Sequence, residues 1–220
     1  MNRLLILGTC ILIFILIVSS SVFYKRSEIL AEDKLLMPKG LEGIYLGMSL
    51  EELKKIKPNL IRGDVWTDFS LYGEAPFYVE ENLKNNFFSL AYYEISNGKL
   101  VEIELEKLGP PDFLKSRVPG LIKGCIKKWG SDYRKRIGMV KNEKPLLYPV
   151  FSWEKPGAKI IMRYIITSNE KDSPNHFRVF IFKPERELKL DYKDIADQKE
   201  LKEVFKDIQA TETYTGPIFE

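Results

Sequence analysis

The sequence predicts an α+β domain, with helices packed on one face of an antiparallel sheet, preceded by one transmembrane helix. Three observations predict it. The chain opens on an uncharged run of twenty residues, Leu4 to Phe23. Behind that run, single amphipathic helical patterns alternate with groups of strand-like segments around tight-turn signals. The composition, 45% hydrophobic and 30% charged over 220 residues, suits one buried core and not a disordered chain. With 34 Lys and Arg against 31 Asp and Glu, the net charge of +3 excludes a polybasic nucleic-acid tail as a description of the whole.

At about 1.5 Å per residue, Leu4–Phe23 spans roughly 30 Å, the hydrocarbon thickness of a bilayer. Arg3 precedes the run, and Tyr24, Lys25 and Arg26 close it as interfacial residues do. Three readings compete. Ser19, Ser20 and Ser21 fit a cleaved signal peptide, and Cys10 a lipoprotein signal, although most of the apolar run follows that cysteine. The run exceeds the 7–15 residues of a signal core, so a retained single-pass anchor is preferred. Lys25 and Arg26 outweigh Arg3, which by counting alone places the domain in the cytoplasm. A short polar head before an apolar run reads as an export signal instead, and the domain is expected outside the cytoplasm, in a cell envelope. The expected organisation is an anchor over 1–24, a juxtamembrane tether over 25–39, an α+β domain over 40–190 and a C-terminal helix and tail over 191–220.

Ser49 and Glu52 form a capping box, the hydroxyl accepting from a free amide and the carboxylate reaching back. Leu50, Leu53 and Ile56 give that helix its apolar stripe, and Pro58 stops it. Phe87 to Glu106 reads as a hairpin about Asn97-Gly98, residues that tolerate the positive φ of a two-residue turn. Val101, Ile103 and Leu105 alternate with Glu102, Glu104 and Glu106, which predicts one buried face and one wet face. A second helix carries Val118, Leu121, Ile122, Cys125, Ile126 and Trp129 on one side, with Pro119 in its first turn and Gly130 as its cap. After a polar loop, Leu147–Trp153 and Lys159–Thr167 read as strands and His176–Lys183 as a third. Tyr192–Gln209 reads as a closing helix with Leu201, Val204, Phe205 and Ile208 inward. The order is compatible with two diverged helix-plus-strands units.

The stretch Gly43-Ile-Tyr-Leu-Gly-Met-Ser-Leu-Glu-Glu-Leu53 resembles the helix-entry motif of small bacterial envelope proteins. Those are the SmpA/OmlA-type outer-membrane assembly lipoproteins and the β-lactamase-inhibitor-protein-like fold. The resemblance implies a helix opening onto an antiparallel sheet, and protein–protein or envelope-scaffold work without catalysis.

The residues themselves offer little chemistry. One histidine, His176, and one cysteine outside the anchor, Cys125, do not make a metal site or a thiol–imidazole pair, and no cofactor is expected. Ser96-Asn-Gly-Lys99 and Ser152-Trp-Glu-Lys155 match Ser-x-x-Lys but fall on turns, without the accessory elements of serine acyl-transfer enzymes. Neighbours on one strand face, such as Glu102 and Glu104, lie about 6.5–7 Å apart, within the inverting-glycosidase range. The simpler expectation is that these glutamates form the solvated face.

One charge feature stands out. From Lys115 to Arg136 lie Lys115, Arg117, Lys123, Lys127, Lys128, Arg134, Lys135 and Arg136, eight basic residues against the single acid Asp132. Gly120, Lys123, Gly124 and Lys127 are expected to make a flat basic helix face. Anionic lipid headgroups or an acidic protein partner fit it, while nucleic acid is disfavoured by the anchor. Sequence alone therefore points to a membrane-anchored, non-enzymatic interaction or envelope-assembly module. Its rival is an envelope hydrolase using sheet-face carboxylates. The oligomeric state is not legible.

Overall fold

The computed structural model describes residues 37–63, 76–83, 87–140, 146–165, 175–186, 190–193, 198–206 and 215. The predicted span Leu4–Phe23 lies outside them, and among the described residues no helix is long and apolar enough to cross a membrane.

The fold is α+β. Helix α1 (Leu50–Ile56) precedes strands β1 (Ile61–Arg62), β2 (Phe77–Glu81), β3 (Leu90–Ser96) and β4 (Lys99–Leu108). Helix α2 (Pro111–Trp129) precedes β5 (Arg134–Val140), β6 (Leu146–Lys155), β7 (Ala158–Ile165) and β8 (His176–Phe182), and β9 (Tyr192–Lys193) and α3 (Gln198–Val204) close the chain. The nine strands of the described residues join one antiparallel sheet in the order β1-β2-β3-β4-β8-β7-β6-β5-β9. Two four-stranded meanders thus meet back to back along β4 and β8.

Local signals explain the well-placed elements. The Ser49 hydroxyl accepts from the Glu52 amide at 3.2 Å, and the Glu52 carboxylate accepts from the Ser49 amide at 2.7 Å. Asn97 and Gly98, at φ 50° and 71°, turn β3 into β4, and Gly130, at φ 90°, caps α2. Ile56, however, is largely exposed, leaving Leu53 as the buried residue of α1.

Three expectations are corrected. Helix α2 begins at Pro111, so Pro119 lies inside it. The Pro110-Pro111 pair supplies the fixed φ that opens a helix, and the turn-by-turn apolar stripe begins with Leu114. The polar loop after Gly130 is strand β5: Arg134, Lys135 and Arg136 are exposed, and only Ile137 reveals a buried side. Tyr192 opens a two-residue strand against β5, and the closing helix starts at Gln198.

Apolar side chains of one sheet face, among them Ala91, Tyr93, Ile103, Leu105, Trp153, Val179 and Ile181, share a core with Leu53, with the α2 stripe and with Phe205 after α3. The expected layer of helices over one face is nonetheless not the arrangement seen. The helix and strand most in backbone contact are α3 and β6, while α1 and α2 meet the sheet through this shared core. The opposite face is buried as well. Tyr148, Val150, Ile161, Ile165, Phe180 and Phe182 form a second cluster there.

Candidate functional site

That opposite face carries the charges. Strand alternation puts Glu102, Glu104 and Glu106 on it, with Ile103 and Leu105 in the main core, as the sequence pattern indicates. Their surroundings are not those expected. Glu102, Glu104 and Glu106 are 4%, 6% and 0% exposed, so they are not a solvated face. The cross-strand register sets Glu94, Tyr92 and Leu90 of β3 on one side of them and Phe182, Phe180 and Arg178 of β8 on the other.

Buried carboxylates need partners, and two arginines from distant sequence supply them. Arg178 Nε lies 2.5 Å from Glu106 Oε1, and its Nη1 lies 3.0 Å from Glu104 Oε1. Arg186 Nε lies 2.9 Å from Glu102 Oε2, and its Nη2 bonds the Glu94 carboxylate. Tyr92 donates its hydroxyl to Glu106 Oε2 at 3.1 Å. Arg163 of β7 stands opposite Arg178, its guanidinium 5.1 Å from the Phe180 ring centre. Burial pushes Glu102 up to about 8, against the pull of Arg186, and Glu104 up to about 7, against the pull of Arg178 and Arg163.

Two hollows are present among the described residues. One, of about 240 Å³, is lined by Arg186 and by residues of β5 to β9, but not by the four glutamates. The other, of about 520 Å³, lies where α1 ends against β1 and β2. There Lys57 donates to the Gly40 carbonyl and to Glu80 Oε1, both at 2.8 Å, and the Tyr93 hydroxyl donates to Glu80 Oε2 at 2.8 Å.

The structure divides the predicted basic group. Lys115, Arg117, Lys127 and Lys128 are exposed along α2, and Lys123 is half-buried. Gly120 and Gly124 are buried, so the flat face expected around them is not an open surface. Burial lowers the Lys128 ammonium, against the attraction of Glu42. Arg134 and Arg136 project on the charged sheet face, Arg134 3.8 Å from Glu154 and Arg136 5.0 Å from the Tyr192 ring centre. Lys135 projects the other way, 5.6 Å from the Phe205 ring centre. Strand alternation alone separates these three. Asp132 is held by Lys155, Nζ to Oδ1 at 2.9 Å.

Cys125 is fully buried, which raises its thiol far above the ordinary range. His176 is the half-exposed first residue of β8. Among the described residues, no group of three or more His, Cys, Asp or Glu is placed to hold a metal ion. No family model matches the chain, and neither a curated protein nor a solved structure is found similar to it.

Sequence reading missed Glu94, Arg163, Arg178 and Arg186 as partners. The signal was present: Ile160-Ile-Met-Arg-Tyr-Ile165 and His176-Phe-Arg-Val-Phe-Ile-Phe182 each hold one arginine among apolar residues. An arginine in a strand buried on both faces demands a counter-charge within reach of its side chain, which Glu106 and Glu104 supply for Arg178.

Proposed function

We propose that this chain is a membrane-tethered, non-catalytic interaction module of a cell envelope, and that the exposed side of α2 rests on anionic lipid headgroups. The observation that carries this reading is the exposure of Lys115, Arg117, Lys127 and Lys128 along one helix. The exposed Phe113 ring sits at the N-terminal end of this helix, with the Arg117 guanidinium and the Lys107 ammonium each 5.8 Å from its centre. Cations around an exposed aromatic suit the headgroup region, each basic group near the surface contributing about 1 kcal/mol. The Leu4–Phe23 run would hold the domain close to that surface.

The carboxylates support the non-catalytic half. General acid–base work needs a group that reaches substrate, whereas Glu94, Glu102, Glu104 and Glu106 each face a guanidinium beneath the surface. The raised Glu102 and Glu104 favour the hydrolase as second reading, and their committed partners weigh against it. A two-unit origin is supported by matching details in the two meanders. Gly63 lies under the Phe77 ring at the β1–β2 edge, and Gly138 under the Tyr148 ring at β5–β6.

Energy transfer tests the docking. The full chain, dye-labelled at Ser116→Cys, is placed in vesicles containing a headgroup-labelled acceptor lipid. Transfer is expected to be high with anionic lipid, low with zwitterionic lipid and reduced by salt. Charge reversal at Lys127 and Lys128 is expected to abolish the difference. Equal transfer in both membranes refutes the lipid contact, and capture of an acidic protein through the same lysines would replace it.

A further inference from the structure

The smaller hollow lies on the charged sheet face, away from the α2 surface. Its lining includes Arg136 from β5, Ser152 from β6, Lys159 from β7, Phe182 from β8, Arg186 beyond β8 and Tyr192 from β9. Three cations therefore converge from three separated parts of the chain. Register explains the convergence: Lys159 is the direct neighbour of Phe182 on one side and of Glu154 on the other, and Ser152 stands beside Ile161 one row along. Arg186 is held from behind by Glu94 and Glu102, and Arg136 lies over the Tyr192 ring. Arg186 is thus a built position, while the exposed Arg136 is steadied by an aromatic ring.

The balance of charge indicates the ligand. Glu154 is the only acid in the lining, and Arg134 lies 3.8 Å from its carboxylate. Burial favours the neutral form of Glu102, which leaves the charge of Arg186 less compensated. With Arg134 and Glu94 included and Glu102 neutral, four cations stand against Glu154 and Glu94, and this excess of two positive charges suits a dianion better than a carboxylate. Guanidinium forks fit the oxygens of phosphate, and a serine hydroxyl adds a donor. The half-buried Tyr192 ring offers an apolar wall to an organic group, with Phe182 and Ile161 packed beneath. A volume of about 240 Å³ limits that group to a small one.

We propose that this hollow binds a phosphate monoester, the phosphate between Arg136, Lys159 and Arg186 and its organic part against Tyr192. The site is independent of the lipid-docking reading and stands if that reading fails.

Titration calorimetry on the full chain in uncharged detergent tests it, with phenyl phosphate, inorganic phosphate and benzoate as probes. Phenyl phosphate is expected to saturate, with benzoate weaker by about tenfold or more, the loss of one charge-assisted contact set. Lys159→Ala and Arg136→Gln are each expected to weaken phenyl phosphate about tenfold, and Arg117→Ala on α2 to leave it unchanged. Ser152→Ala, the smallest change to the site, is expected to weaken it several-fold and keeps the test decisive if a charge variant unfolds. Competition by vesicles carrying phosphatidic acid identifies the monoester as a headgroup, and its absence identifies a free small molecule. Equal affinity for benzoate, no saturable heat up to about 10 mM phenyl phosphate, or an equal loss in Arg117→Ala overturns the proposal.

Discussion

Arg178 and Glu106 stand directly opposite each other on β8 and β4, joined Nε to Oε1 at 2.5 Å, in a place where Glu106 has no exposure to solvent. This pair spans the seam between the two meanders. The same guanidinium reaches Glu104 one row away, so one positive charge is shared by two buried acids, of which Glu104 is pushed up to about 7 by burial.

Removing Arg178 is therefore expected to be severe. Arg178→Met leaves Glu106 buried without its counter-charge and should cost about 3–5 kcal/mol in urea unfolding. Arg178→Met combined with Glu106→Met should recover much of the loss, because the uncompensated charge, not the missing bond, is the main penalty. A single variant within about 1 kcal/mol of the parent would show the pair to be dispensable.

The same burial sets a pH dependence. Glu102 and Glu104, raised to about 8 and about 7 in the folded chain, hold protons there that the unfolded chain releases near 4.5. Between those values the folded state binds more protons, so stability falls as pH rises through the window and levels off above about 8. Glu42, Glu52 and Asp132 are shifted downward and act only at lower pH. The urea midpoint is expected to be higher at pH 5 than at pH 8.5, with a smaller difference in Glu102→Gln. A midpoint that climbs over this interval contradicts the assignment.

These glutamates also mark how far the sequence could be read. Signals that act within a few residues were legible. The Ser49–Glu52 box, the Asn97-Gly98 turn, the Gly130 cap and the β6–β7 hairpin are each decided by local backbone chemistry. Alternation in β4 correctly separated Ile103 from Glu104, but it says only that two faces differ. It cannot report that Arg178, 72 residues from Glu106, occupies the place of water. Strand β5 was lost for a related reason: its first three residues, Arg134, Lys135 and Arg136, are exposed on both faces at a sheet edge. The candidate hollow was illegible in kind, since Arg136, Lys159 and Arg186 meet only through register.

The capping box offers a calibrated test of the local part. Ser49→Ala removes the acceptor for the Glu52 amide and should cost about 1 kcal/mol. Glu52 is held below the ordinary carboxylate range by the Ser49 amide, so it favours folding above its unfolded value and loses that effect as pH falls through its folded value. In Ser49→Ala the unfolding midpoint should drop at neutral pH. No change at neutral pH would mean that the helix start is held by the Ser49–Lys99 bridge alone.

Two glycines separate strain from packing. A Cβ on Gly98 meets nothing within 4 Å, yet the residue has φ 71°, so Gly98→Ala should cost about 1–2 kcal/mol through backbone strain alone. Gly98→Asn should cost less, since asparagine tolerates that conformation. Gly138 is the opposite case: its Cβ would lie 2.2 Å from Tyr148 Cε2, and the ring is packed with Val150 and Ile161 in the second cluster. Gly138→Ala should cost about 1–3 kcal/mol by overpacking, and Tyr148→Leu in the same chain should return part of it. No second-site change of this kind should rescue Gly98→Ala. Rescue of both, or of neither, would show that the Tyr148 ring does not set the requirement for glycine at 138.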